Sequence, residues 1–395
     1  MLALDIPNLQ QETIDLLESS KVFLSKINHT ENCQQQITQQ QELVKKLELR
    51  MTVVAPMKAG KSTIINAIVG QELVPSHSFA MTTLPTEIVI NNQLTEPKLQ
   101  IPNQTVEILT GLTQQITQAI EQQGIEWAYK QTEEYLHLKD LVTELAQGMS
   151  INSQVIGHSD IQNYLEKVNH IIRLATKLIP NYDWNIFHLP RIETPCQSSI
   201  FSSLQQSNLI IVDTPGPNEA GDNHKLAETV ITQIQNSSVV LFILDYTNLH
   251  TKAEEEVKKE VQKIIDLRGK DNLFVLVNKI DRRKDKNSLN SEQVKSYVKS
   301  EFGIENIFEI SAINAFNANS FLQNKNNPQE LFEDIDTWEM VQDTITETKL
   351  QQLAKQKWQK SGFSSFLKDV IYKLTIGSTH ECMRTAIKTA RSCLN

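Results

Sequence analysis

One short segment near the N-terminus constrains the fold more than any other part of the chain. The loop Ala-Pro-Met-Lys-Ala-Gly-Lys-Ser (residues 55–62) follows the apolar run Met51–Val54 and precedes the helical pattern Thr63–Val69. A loop that enters a helix N-terminus points several backbone N–H groups, and the positive end of the helix dipole, at one place. The segment therefore predicts a strand–loop–helix unit that binds phosphate.

This phosphate loop (residues 55–62) matches the pattern G-x-x-x-x-G-K-[ST] except at its first position, where Ala55 replaces glycine. In that pattern Gly60 permits close approach of the backbone, Lys61 reaches the outer phosphates, and the Ser62 hydroxyl ligates Mg²⁺. The replaced glycine keeps open the alternative of a degenerate loop. Two neighbouring residues are expected to contact the same nucleotide: Ala59 and Thr63.

Length and composition limit the classes of function. The chain has 395 residues and a net charge of −9, which argues against non-specific electrostatic binding of nucleic acid or anionic lipid. Its four cysteines lie far apart without metal-ligand spacing, which indicates reduced thiols. The N-terminus has no signal-peptide pattern, and no apolar run approaches the roughly 18–20 residues of a spanning helix. We expect a cytoplasmic protein without direct nucleic-acid contact, peripheral to a membrane at most.

Six apolar runs bounded by loop residues predict the strands of an α/β domain. Several are near-continuous Val, Ile and Leu, which is typical of strands buried on both faces of a mainly parallel sheet. The runs are Met51–Val54, Thr86–Ile90, Leu209–Val212, Val239–Leu244, Leu273–Val277 and Ile307–Ile310. We expect an α/β P-loop fold with helices on both faces of this sheet.

Helical patterns flank and interrupt the strand runs, so we predict three parts. Residues 1–49 form an N-terminal helical segment, and residues 50–320 form the α/β domain with a helical insertion at about 100–205. Residues 321–395 form a C-terminal helical segment, the expected start of a stalk. Its clearest helix is Phe363–Leu374, whose apolar residues recur with helical spacing. The flanking helices are expected to form a truncated bundle.

A loop after the third apolar run predicts a sensor of the terminal phosphate. The Asp213 carboxylate can hold Mg²⁺ through water, and Gly216 can offer its backbone N–H to the γ-phosphate. Before the second run, Thr82 is the first choice, and Thr83 the second, for ligating Mg²⁺ and orienting the attacking water. The alternatives are that Asp213 to Gly216 is an ordinary turn and that the threonines only begin a strand.

The segment after the fifth run predicts which base is bound. The Asp281 carboxylate can accept hydrogen bonds from guanine N1–H and the 2-amino group, a donor pair that adenine lacks. Asn278 is expected to brace neighbouring loops, and the Lys279 stem to pack along the base. After the last run, the backbone of Ser311 and Ala312 can support guanine O6. Together these motifs predict binding of GTP or GDP with Mg²⁺, and Asp281 argues against ATP.

Longer stretches around these motifs match a known family. They are residues 57–70, 81–86 and 213–221, the last containing Pro-Gly-Pro-Asn-Glu-Ala-Gly, together with Asp245-Tyr-Thr247. In these stretches the chain resembles the dynamin superfamily, and within it the bacterial dynamin-like large GTPases of the clamp-binding CrfC group. The resemblance covers roughly residues 40–395, including the insertion.

The resemblance implies a GTPase head that dimerises across its nucleotide face, assembles further through a helical stalk, and hydrolyses GTP without an external activator. For this group it also implies association with the DNA sliding clamp and a role in positioning sister chromosomes. No clear clamp-binding peptide occurs in residues 1–49, and the group is much longer than this chain. A fragment, a truncated product and a short form whose partner supplies the stalk all remain open.

Two positions of the phosphate loop determine the expected mechanism. In the phosphate loop of eukaryotic dynamins, a Gln and a Ser orient water and bind a monovalent cation. By resemblance, the corresponding positions in this chain are Met57 and Lys58. Met57 cannot orient water by hydrogen bonding. Our hypothesis is that Lys58 supplies transition-state charge in cis, where related large GTPases carry an arginine finger; the alternative is a solvent-pointing side chain. Two functions stay open: an assembly-stimulated GTPase, or a nucleotide-gated scaffold with slow or lost hydrolysis.

Overall fold

A mixed β-sheet lies at the centre of the protein, as seen in a computed structural model. The structure describes residues 6–26, 31–75, 84–182, 186, 188–195, 208–215, 224–249, 254–283, 288–323, 328–332, 335–374 and 379–394. The strands are β1 (Glu48–Val54), β2 (Thr86–Ile90), β3 (Lys98–Gln100), β4 (Gln154–Ile156), β5 (Arg191–Thr194), β6 (Asn208–Asp213), β7 (Val239–Asp245), β8 (Leu273–Asn278) and β9 (Ile307–Glu309).

The strand order in the described sheet is β4-β3-β5-β2-β6-β1-β7-β8-β9. The run β6-β1-β7-β8-β9 is parallel, and the β2–β5 pair is also parallel. The β2–β6, β3–β4 and β3–β5 pairs are antiparallel. The sheet is therefore mainly parallel, as the apolar runs predict, and all six runs correspond to strands.

Three short strands lie in the region predicted as a helical insertion: β3, β4 and β5. They extend the sheet at one edge, where few of their side chains are buried. In β3 only Leu99 is buried, and β4 has no buried side chain. Strands this short and this polar produce no apolar run, so the sequence did not indicate them.

Helices make up most of the remaining described structure. They are α1 (Ile6–Lys26), α2 (Glu31–Lys46), α3 (Lys61–Val69), α4 (Asn103–Gln123), α5 (Ile125–Gln131), α6 (Lys139–Ala146), α7 (His158–Leu178), α8 (His224–Gln235), α9 (Glu254–Arg268), α10 (Ser291–Phe302), α11 (Ala312–Leu322), α12 (Ile335–Val341), α13 (Glu347–Lys360), α14 (Phe363–Tyr372) and α15 (Thr379–Leu394). Within the described residues, none of the helices has both the length and the apolar character needed to cross a membrane.

Alternate residues of the central strands enter two separate cores, one on each face of the sheet. Leu241 and Ile243 pack in the larger core, which also contains residues of α3, α11 and α14 and of the insertion helices. Val240 and Phe242 pack in the smaller core with residues of α8, α9 and α10. Strands buried on both faces require this alternation, and it confirms the predicted α/β fold with helices on both faces.

The first and last described helices of the chain come together in a small bundle. Leu17 of α1, Ile37 and Val44 of α2, and Ala386 of α15 are fully buried in one cluster. The Gln10 side chain of α1 donates a hydrogen bond to the carbonyl of Val44 at 2.7 Å, so α1 and α2 are antiparallel. The predicted bundle of flanking helices is confirmed for α1, α2 and α15, and it joins segments more than 300 residues apart in sequence.

Helix α14 belongs to the head rather than to this bundle. Its Phe363, Phe366 and Leu367 are buried in the larger core, beside strand residues. The preceding Gly362 has a φ of 72°, and a Cβ at this position would clash with the carbonyl oxygen of Glu309 in β9. The helix therefore starts against the sheet only because residue 362 has no side chain.

We expect Gly362→Ala to lower the free energy of unfolding more than Gly148→Ala does. Both glycines have positive φ, but nothing lies within 4 Å of a Cβ at Gly148. The left-handed conformation alone should cost about 1–2 kcal/mol for alanine, and the clash with Glu309 adds to that cost only at position 362. Urea unfolding followed by circular dichroism measures both values; equal losses would contradict the close packing of α14.

A buried histidine in the insertion should make stability depend on pH. Burial lowers the pKa of His170, Arg173 lowers it further, and Glu166 opposes both effects. The unfolded chain then binds more protons than the folded chain, so the free energy of unfolding should fall as the pH drops below about 6.5. We expect a smaller decrease for His170→Gln between pH 7.5 and 5.5 in urea unfolding. The exposed His380→Gln should behave like the wild type.

Candidate functional site

The phosphate loop joins the end of β1 to the start of α3. Gly60, the residue before the helix, has a φ of 93°, a conformation that glycine adopts without strain. A Cβ at this position would clash with the side-chain nitrogen of Asn278. Glycine is therefore needed at residue 60 both for the backbone conformation and for the space that Asn278 occupies.

The missing first glycine of the loop causes no backbone strain. Among the described non-glycine residues, positive φ values occur at Leu47, Lys58 and Lys279, so Ala55 has an ordinary conformation. The Ala55 side chain is 1% exposed and belongs to the larger core. The strained residue of the loop is instead Lys58, with a φ of 64°.

The lysine of the loop is held by the end of the neighbouring strand. Lys61 donates a hydrogen bond to the Asp213 carboxylate at 2.6 Å and another to the carbonyl of Thr214. The Thr214 hydroxyl donates to the carbonyl of Val53 at 2.7 Å, which holds this segment against β1. Because Val53 and Asp213 are partners in the parallel β1–β6 pair, the sheet places the carboxylate beside the start of the phosphate loop, and Lys61 reaches it from the end of that loop.

Asn278 connects the phosphate loop with the loop after β9. Its side-chain nitrogen donates to the carbonyl of Ala59 at 2.9 Å, and its side-chain oxygen accepts from the N–H of Ala312 at 3.0 Å. The residue is 3% exposed, so both bonds are shielded from water. Three loops that are distant in sequence are thus held side by side at the carboxyl ends of parallel strands.

Lys279 makes a second connection to the phosphate loop. Its ammonium group donates to the carbonyl of Lys58 at 2.7 Å and to the Asp245 carboxylate at 2.7 Å. Asp245 is the last residue of β7 and the register partner of Asn278. We did not predict Asp245 as a site residue. The sequence signal that could have identified it is a carboxylate at the end of an otherwise apolar strand, at the same sheet edge as Asn278.

Asp281 and Ser311 lie together at the base-reading end. The Ser311 hydroxyl donates to the Asp281 carboxylate at 2.5 Å. The backbone N–H of Ser311 donates to the carbonyl of Ser361 at 2.9 Å, and that of Ala312 donates to the side-chain oxygen of Asn278. Both N–H groups are thus paired inside the protein, where they hold this loop in place, and their contact with a base stays a prediction.

The structure places some of the remaining predicted residues at the same edge. Ser62 and Thr63 lie half-buried in the first turn of α3, and Met57 and Lys58 are exposed on the phosphate loop. The predicted residues Thr82, Thr83 and Gly216 lie outside the described part of the chain.

The donors suited to Mg²⁺ at this edge are the Ser62 hydroxyl and the Asp213 carboxylate, hard oxygen ligands of the kind this ion prefers. Asp213 is 3% exposed and bonded to Lys61, so its charge is already compensated inside the protein. Within the described residues, no cluster of three or more His, Cys, Asp or Glu side chains forms another metal site.

This chain is similar to a known protein family and to individual known proteins. The profile of the dynamin family matches residues 51–280. Clamp-binding protein CrfC of Escherichia coli (strain K12) is 33% identical over 259 residues, which cover 65% of this chain and 34% of that protein. Dynamin-like protein A of Bacillus subtilis (strain 168) is 23% identical over 282 residues, which cover 68% of this chain and 22% of that protein.

A solved structure of an oligomerised bacterial dynamin pair aligns with 99% of this chain and 47% of its own chain, at 16% identity and a TM-score of 0.49. The chain spans about a third, or less, of the length of the curated relatives. The family profile covers more than half of the sequence and includes the phosphate loop and Asn278. This chain therefore belongs to the dynamin family, with the GTPase fold of that family.

Proposed function

We propose that this chain binds GTP and GDP with Mg²⁺ and hydrolyses GTP. The main support is a pair of hydrogen bonds made by the Asn278 side chain, which donates to the carbonyl of Ala59 and accepts from the N–H of Ala312 and so joins the phosphate loop to the base-reading end. A nucleotide needs a cation at its phosphate end and a base-reading carboxylate at its other end. Lys61 lies at the end of the phosphate loop, and Asp281 lies three residues after Asn278, in the loop that follows β8. Membership of the dynamin family supports the same chemistry.

The phosphate end combines a helix N-terminus with a cation. Backbone N–H groups at the start of α3 and the Lys61 ammonium would bind the outer phosphates. Ser62 and Asp213, with Thr82 by prediction, would hold Mg²⁺, which neutralises phosphate charge when bound. The buried Lys61–Asp213 pair keeps both groups at this edge.

The base end offers one carboxylate in a fixed orientation. The hydrogen bond from Ser311 holds one oxygen of Asp281, and Asn278 holds the loop on which Ser311 and Ala312 lie. Guanine can donate two hydrogen bonds to such a carboxylate, whereas adenine lacks this donor pair and would forgo these bonds at a free-energy cost of about 1–3 kcal/mol. We therefore propose guanine nucleotides rather than adenine nucleotides as the ligands.

Hydrolysis of GTP requires positioning and charge stabilisation rather than covalent catalysis. In our proposal Lys58 supplies positive charge in cis, the Gly216 N–H contacts the γ-phosphate, and Thr82 orients water. The hydrogen bond from Lys279 to the Lys58 carbonyl holds the backbone at the base of the Lys58 side chain. That side chain is exposed, which fits a role that begins only when two heads face each other.

We further propose that the chain forms homodimers through its heads and assembles further through its helices, as the family does. Association with the DNA sliding clamp, and with it a cytoplasmic role in chromosome positioning, rests only on the similarity to Clamp-binding protein CrfC, of which this chain covers 34%. A second candidate is a nucleotide-gated scaffold with slow or no hydrolysis. Met57, which cannot orient water, favours it.

Asp281→Asn should change the preferred base from guanine to xanthine. The Asn amide can donate a hydrogen bond to the 2-carbonyl of xanthine. It lacks the negative charge of the Asp carboxylate, which accepts the two hydrogen bonds from guanine. We expect GDP affinity to fall roughly tenfold or more, about 1.4 kcal/mol, and XDP affinity to rise. Competition against a fluorescent GDP analogue measures both affinities. Asp266→Asn, on an exposed part of α9, is the control and should leave both unchanged.

Three results would count against this proposal. A wild-type protein that binds no guanine nucleotide would refute it, and equal affinity for ADP and GDP would refute the base selection. An unchanged GDP affinity in Asp281→Asn would exclude Asp281 as the base-reading residue.

Lys58→Ala should lower kcat for GTP at least tenfold and leave GDP affinity unchanged, because a finger acts in the transition state. Lys61→Ala should instead lose nucleotide binding. Phosphate release measured over a range of protein concentrations, with light scattering alongside, tests both variants.

The same measurement on the wild type separates the two candidate functions. A per-molecule rate that rises with concentration supports the assembly-stimulated enzyme. Tight GTP binding by the wild type without turnover supports the scaffold, and an unchanged kcat in Lys58→Ala would exclude the finger.

A further inference from the structure

We infer that Asp245 is a positioning residue of the nucleotide site, which holds Lys279 against the phosphate loop. This inference rests on the proposed binding of guanine nucleotides. It gives a specific task to a buried carboxylate that does not itself belong to the phosphate loop or to the base-reading loop.

Asp245 lies where two central strands end together. It is the last residue of β7, is 9% exposed, and is the register partner of Asn278 at the end of β8. The next residue after Asn278 is Lys279, so the parallel register brings the carboxylate of one strand end next to the ammonium of the other. The two groups form an ion pair at 2.7 Å.

The two oxygens of Asp245 have different partners. One oxygen accepts from the N–H of Thr247 at 2.9 Å and from its hydroxyl at 2.7 Å. The other accepts from the Lys279 ammonium at 2.7 Å and from the side-chain amide of Asn248 at 3.4 Å. The first oxygen therefore shapes the turn after β7, and the second holds Lys279.

Through Lys279, Asp245 acts on the backbone of the phosphate loop. The same ammonium donates to the carbonyl of Lys58 at 2.7 Å. Lys58 and Lys279 have φ values of 64° and 69°, a region that is unfavourable for residues with side chains. Such conformations persist when surrounding contacts hold them. Here the Lys279 ammonium binds both the Lys58 carbonyl and the Asp245 carboxylate, so Asp245 orients Lys279 and Lys279 holds the backbone of Lys58.

The ion pair with Asp245 fixes the orientation of the Lys279 side chain. The Lys279 side chain is 32% exposed, whereas that of Asp245 is 8% exposed, so the carboxylate is the fixed and shielded partner. Without it, a flexible ammonium would be hydrated and its contact with the Lys58 carbonyl would weaken. The stem of Lys279, which we propose to lie along the base, would lose its orientation at the same time.

Asp245→Asn tests this directly, since the amide keeps an oxygen for Thr247 but places an uncharged N–H₂ group towards Lys279. We expect the dissociation constant for a fluorescent GDP analogue to rise about tenfold or more. The matched control is Thr247→Val, which removes a hydrogen bond from the other oxygen of the same carboxylate and keeps the ion pair. This control should change the dissociation constant by less than about threefold.

A double-mutant cycle separates positioning from a general structural role. In a Lys279→Met background, Asp245→Asn should weaken GDP binding by less than about twofold, because its effect passes through Lys279. Equal losses in both backgrounds would overturn the inference, and so would an unchanged dissociation constant in Asp245→Asn alone. If the wild type itself binds no GDP, the proposed function fails, and this inference fails with it.

Discussion

The two hydrogen bonds of the Asn278 side chain are the contacts on which the arrangement of the site loops depends. It hydrogen-bonds to the phosphate loop at Ala59 and to the loop after β9 at Ala312, and it fills the space left by the absent side chain of Gly60. A buried amide that loses either partner costs about 1–3 kcal/mol. The position of one loop therefore determines the positions of the others.

Charge at this edge of the sheet is compensated within the protein. Lys61, at the start of α3, pairs with Asp213 at 2.6 Å, and Lys279, just after β8, pairs with Asp245 at 2.7 Å. Parallel strands bring their carboxyl ends to a single edge, so carboxylates at two strand ends meet cations from adjacent loops. Groups held in this way are already oriented before a ligand arrives, which lowers the entropy lost on binding.

The same edge is connected to the helices near the end of the chain. The N–H of Ser311 donates to the carbonyl of Ser361, and Gly362 lies against the carbonyl of Glu309. Helix α14 then buries Phe363 and Phe366 in the larger core of the head. The segment that precedes the last helix of the bundle is thus packed directly beside the loop that follows β9.

The sequence by itself determined the six main strands, the phosphate loop and the helix α14, because long apolar runs and helical spacing are local signals. It did not indicate β3, β4 and β5, which have three or four residues each and too few buried side chains to form an apolar run. Only the tertiary structure identified Lys58, rather than Ala55, as the strained residue of the loop. Likewise, Asp245 became a partner of Lys279 only through the register of β7 and β8, since strand pairing brings together residues that no local pattern connects.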